Sequence, residues 1–78
     1  MGYEEPGFLM DEPTWSQRVK SLRLKLNLTQ VQLAERLGIH INTVPLWELR
    51  SERPYSRAAE LFLQLESEVY EEEEGGVS

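Results

Sequence analysis

Seventy-eight residues with no cysteine and a formal net charge of -6 exclude disulfide staples and thiolate metal sites, and leave room for one small core made by apolar packing alone. No apolar run nears the roughly 20 residues that cross a bilayer, and the first fifteen residues have neither a basic start nor a greasy middle. A soluble, cytoplasmic protein with no membrane partner is expected. The acidic total argues against phosphate binding, but its distribution reverses that reading. All eight basic residues lie between Thr14 and Leu63 with only four acidic ones, and the other ten acids lie outside that span.

The opening "MGYEEPGFLMDEP" holds two prolines, two glycines and four acids without a period, which predicts an irregular acidic arm over 1–13. Its apolar residues Tyr3, Phe8, Leu9 and Met10 either fold back, move freely or serve a partner. Thr14-Trp15-Ser16-Gln17 then fits a capping box, so a helix begins at Trp15. Its apolar stripe is Trp15, Val19, Leu22 and Leu26, and Asn27 supplies a left-handed stop.

A second capping box, Thr29-Gln30-Val31-Gln32, opens a short helix that buries Leu33, Ala34 and Leu37 and ends at Gly38. After the turn Gly38-Ile39-His40 a third helix contains "NTVPLWE", with Pro45 inside it. A proline five residues into a helix strikes the carbonyl four positions back and costs ~3 kcal/mol. With Asn42 as N-cap and Thr43 as first helical residue, Pro45 falls in the first turn, where its missing N–H had no partner to lose. A start at Thr43 is therefore predicted, the alternative being an earlier start with a kink at Ile41. A last helix begins at Ser56 or Arg57 with the stripe Ala58, Leu61, Phe62, Leu65 and Val69. The closing "EEEEGGVS" is a like-charge block that frays, giving a domain over 14–70 and a disordered acidic tail over 71–78.

Two short helices joined by a tight glycine turn outline a helix-turn-helix. The run "VKSLRLKLNLTQVQLAERLGIHINTVPLWELRSERP" resembles the Xre/Cro-type helix-turn-helix family, which includes the lambdoid repressors. The resemblance rests on Leu22-Arg23, Thr29-Gln30, Leu33-Ala34, Leu37-Gly38, Thr43-Val44, Trp47-Glu48 and Pro54. It implies an all-α fold, a small four-helix bundle with a lambda-repressor-like DNA-binding domain. Two of these positions have reasons of their own: small Ala34 lets helices cross closely, and Gly38 takes the positive φ that the reversal demands.

What the resemblance implies about sites is a partly buried ion pair between Arg23 and Glu48, bracing the first helix against the third. It also implies DNA contacts at Thr29 and Gln30, where a helix start favours a phosphate. Its base-facing positions fall on Ile41, Asn42, Pro45 and Leu46. Only Asn42 pairs hydrogen bonds with a base, adenine most naturally, and Ile41 and Leu46 can pack on thymine methyls. Arg50 stands where the family commonly has glycine, and with Arg53 and Arg57 it is a phosphate candidate, the alternative being solvated charge. The expected function is sequence-specific double-stranded DNA binding by a repressor-type regulator working as a homodimer. Leu63, Val69 and Tyr70, or the N-terminal arm, are candidates for the dimer surface.

The alternative is a protein-binding module of antitoxin or anti-repressor type that uses the apolar face or the acidic arms. No catalytic, metal or cofactor site assembles: His40 has neither a second histidine nor a carboxylate at ligand spacing, the serines lack a base, and the glycines form no phosphate loop. The acidic tail reads as solubilising, as a competitor lying over the basic face, or as a docking segment.

Overall fold

Thr14 Oγ1 accepts the Gln17 N–H at 3.3 Å while Gln17 Oε1 accepts the Thr14 N–H at 2.9 Å. This reciprocal pair starts α1, Trp15–Lys25. The same device at Thr29 and Gln32 starts α2, Gln30–Leu37. The computed structural model describes residues 13–77, with side chains through Glu72. Apart from Pro13, the acidic arm lies outside the described residues, as do its apolar side chains Tyr3, Phe8, Leu9 and Met10. The remaining helices are α3, Thr43–Trp47, and α4, Arg57–Val77, and there is no strand among the described residues.

Both stops lie where the sequence places them. Asn27 takes φ 60°, and the Leu28 N–H then donates to the Arg23 carbonyl at 2.9 Å. Gly38 takes φ 73°, and the Ile39 N–H reaches back to the Ala34 carbonyl at 3.0 Å. These bonds use carbonyls that a helix end would otherwise leave unpaired.

Each helix contributes to one core: Trp15, Val19 and Leu22 from α1, Leu33 and Ala34 from α2, Val44 and Trp47 from α3, and Ala59, Phe62 and Leu65 from α4. At its centre Trp15 lies edge to face with Trp47 and Phe62, ring centroids 5.2 and 5.0 Å away. Such pairs add roughly 0.5–1.5 kcal/mol each to the burial of their area. The cost is the Trp15 indole N–H, buried without a hydrogen-bond partner. Ala59, not Ala58, is the fully buried alanine of α4, while Leu26, Leu37, Ala58 and Val69 pack at the margin of the core.

α4 continues to Val77, past residue 71, where a frayed tail was expected. Lengthening a helix already nucleated on the core skips the nucleation step, and glutamate is a good helix former. Repulsion between like charges four residues apart costs only a few tenths of a kcal/mol per pair. The chain between α3 and α4 is anchored from the other side, because the Trp15 and Ser16 N–H groups donate to the Ser51 and Arg50 carbonyls at 3.0 and 2.9 Å. The open head of α1 thereby finds its acceptors in the loop that follows α3, far away along the chain.

Candidate nucleic-acid interface

The bend between α2 and α3 is closed by His40. Its Nδ1 accepts the Asn42 N–H at 3.0 Å and its carbonyl accepts the Thr43 N–H at 3.0 Å, so the imidazole proton sits on Nε2. α3 starts at Thr43, the start that Pro45 requires. Its cap differs from the expected form. Asn42 is itself helical in conformation (φ -81°, ψ -8°) and its side chain makes no capping bond. With the His40 ring supplying the turn, the Asn42 carboxamide stays exposed on the outside of the bend.

Successive residues of a helix turn by about 100°, so the burial of Val44 and Trp47 fixes which side of α3 faces the core. Asn42, Pro45, Leu46 and Leu49 fall in the opposite arc. Glu48 keeps the helical conformation, and the Leu49 N–H donates to the Leu46 carbonyl at 3.1 Å, which carries the outer ridge past the end of the helix to Leu49. Leu46 is 60 % exposed and Ile41, at the ridge's edge, 52 %. Leu49 is 83 % exposed and belongs to the same ridge. It was not among the residues expected on this face, although its spacing of four from Pro45 and three from Leu46 is the signal that finds it.

Glu48 joins this ridge to the rest of the motif. Its Oε2 accepts from Arg23 Nε at 2.8 Å, and its Oε1 accepts from Arg23 Nη2 at 3.4 Å and Gln30 Nε2 at 3.1 Å. Arg23 Nη1 also donates to the Leu28 carbonyl at 3.2 Å. The carboxylate side chain is 6 % exposed and the guanidinium side chain 17 %. One acid therefore fastens the end of α3 to α1 and to the head of α2, and Arg23 ties the same cluster to the connecting loop. Gln30 is not the loose surface residue of a helix start: one amide hydrogen is held by Glu48, which fixes the direction of the other.

The remaining candidates separate. Thr29 Oγ1 is occupied in its cap, accepting the Gln32 N–H at 3.1 Å. Arg50 has an exposed side chain on a backbone fixed at both ends, its N–H donating to the Trp47 carbonyl at 3.0 Å and its carbonyl accepting from Ser16. Arg53 stacks over the Tyr55 ring at 5.0 Å, and both are exposed. Arg18 is not an ordinary surface arginine, for its Nε donates to Glu66 Oε2 at 3.1 Å and its guanidinium lies 5.6 Å over Trp15. The Glu66 hydrogen bond holds the Arg18 pKa above the usual arginine value; burial pulls the other way, and the attraction of the same carboxylate adds to the rise.

Among the described residues no three His, Cys, Asp or Glu side chains are placed to hold a metal ion, and no helix is long and apolar enough to cross a membrane. The Helix-turn-helix family model matches residues 19–53, from the middle of α1 to Arg53 beyond α3. That span contains the Arg23–Glu48 pair, the bend at Gly38 and the whole outer ridge. No curated protein and no solved structure matches the chain.

Proposed function

We propose that this chain, which residues 19–53 make a member of the Xre/Cro-type helix-turn-helix family, is a sequence-specific regulator of repressor type that lays α3 in the DNA major groove. The observation that carries this reading is the outward ridge of α3 held against the head of α2 by Glu48. In this arrangement Asn42, Pro45 and Leu46 meet base edges, while the α2 head at Thr29 and Gln30 meets a phosphate with the remaining amide hydrogen of Gln30 and the positive dipole end. Arg50 and Arg53 flank the ridge and answer further phosphates. The work is binding without catalysis, in the cytoplasm where the DNA lies.

A module this small makes few base contacts, so it acts as a homodimer on half-sites about one helical turn apart. Of the candidate dimer residues, Leu63 and Val69 are partly taken up by the core, and Tyr70 is 38 % exposed beside Lys25. Tyr70 is the one with surface left to offer.

Electrophoretic mobility of the chain with its own upstream DNA, at two salt concentrations, tests the reading. Specific binding that weakens with salt supports the regulator. Absence of binding at low salt points instead to a protein partner, a reading favoured by the exposed aliphatic side chains Ile41, Leu46 and Leu49.

A further inference from the structure

The ridge of α3 has one side chain with paired hydrogen-bonding groups, Asn42, set among aliphatic ones. Ile41, Leu46 and Leu49 are all more than half exposed, and Pro45 between them has no N–H to offer. In the major groove a guanine shows two acceptors, matched by arginine or lysine, and a cytosine shows a donor, matched by a carboxylate. The ridge answers neither with a charge, since Arg23 is committed to Glu48 and Leu28 and Arg50 lies beyond Leu49. Aliphatic side chains pressed on a G·C edge would strip water from those groups and return no partner.

An A·T pair is the opposite case. Thymine presents a methyl group, the one apolar feature of the groove, and adenine presents the acceptor and donor that an asparagine carboxamide matches. Both chemistries on the ridge select the same base pair. We propose that α3 reads a run of A·T pairs, with thymine methyl groups packed on Ile41, Leu46 and Leu49 and an adenine on Asn42. Leu49 is thereby a specificity-determining residue. The inference rests on the DNA-binding reading and adds to it the class of sequence bound; the flanking Arg50 and Arg53 complement phosphates.

The test begins with the full chain and a pool of duplexes with a randomised centre. The tightest duplex recovered is resynthesised with deoxyuridine for every thymidine, which removes the methyl groups and keeps the hydrogen-bonding edges. The expected duplex is A·T-rich at its centre, and its affinity falls about fourfold for each methyl lost from contact. Leu46→Ala and Leu49→Ala, both on the exposed ridge and checked for unchanged melting, bring the thymine-to-uracil ratio toward one. Lys20→Ala leaves it as in the parent. A G·C-rich duplex, or salt-sensitive binding that is equal for the thymine and uracil forms, overturns this inference and leaves the DNA-binding reading standing. No duplex enriched at low salt overturns both.

Discussion

Gln30 and Glu48 meet at 3.1 Å, amide nitrogen to carboxylate oxygen, and the contact joins the head of α2 to the end of α3. The same carboxylate holds Arg23 at 2.8 Å. Removing the guanidinium leaves an anion that is 6 % exposed with only a neutral amide for company, which is the costly way to break a buried pair. Arg23→Ala is therefore expected to destabilise by about 3 kcal/mol. Lys20→Ala, on an exposed side chain of the same helix, should change stability by less than about 0.5 kcal/mol. Arg18→Ala is no control, because its pair with Glu66 is part-buried. Thermal or urea unfolding of the two variants decides, and equal shifts for Arg23→Ala and Lys20→Ala refute the bracing role.

Gly38 isolates backbone strain from packing. A Cβ at this position would meet nothing within 4 Å, yet φ is +73°. Gly38→Ala should then cost about 1 kcal/mol from the left-handed conformation alone, Gly38→Asn less, and a β-branched Gly38→Val more. An alanine as stable as the parent in denaturant unfolding would show that the turn relaxes.

Pro45 contributes through the unfolded chain. As the third residue of α3 it has no lost hydrogen bond to regain, so Pro45→Ala should lower stability by about 0.5–1 kcal/mol by loosening the unfolded state. A gain in stability would show that the proline ring is strained where it sits.

Arg50 separates phosphate contact from solvated charge. If it neutralises one phosphate, Arg50→Ala weakens binding across all sequences and lowers the slope of log affinity against log salt by about 0.9. A salt series run on parent and variant reads this directly, and an unchanged slope removes Arg50 from the interface.

The acidic end of α4 is predicted to act only at a distance. Glu71 and Glu72 border a cleft with Arg36, toward the far end of α2 from Gln30, about 9 Å along that helix. Ending the chain after Tyr70 should tighten DNA binding in ~0.01 M salt, where charges are felt over about 30 Å. At ~0.15 M the screening length is about 8 Å and the effect should vanish. Affinity unchanged at both salts rules out any competition from the tail. Alkali will not unmask Arg18 over the usual range either: with its pKa raised, the stability of its pair is complete below the ordinary arginine value and is lost only as pH climbs through the raised one.

Helix starts, stops and the placing of Pro45 were open to a reader of the sequence, because each depends on atoms within four residues of one another. The Thr14 and Thr29 boxes close over three residues, Asn27 and Gly38 turn on their own φ, and a proline ring excludes a helix start from its own neighbours. A resemblance in motif was enough to anticipate the all-helical fold. Two local readings still failed in detail. Asn42 leaves its cap unmade because its own backbone is already helical and Pro45, the third residue of α3, has no N–H to give. At the start of α4 Ala59 rather than Ala58 is fully buried, while Phe62, Leu65 and Val69 pack as the stripe places them.

Other features waited on the tertiary structure. Arg18 and Glu66 stand 48 positions apart, and nothing local pairs them. Gln30 meets Glu48 across 18 positions, and Leu49 is exposed because Val44 and Trp47 have already committed the other side of α3 to the core. The sequence by itself determined where each helix begins and which residue types line it, since capping bonds and φ limits act at short range. Which charge meets which, and which side of α3 is left for a partner, were decided by packing, because those distances do not exist until the helices are in contact.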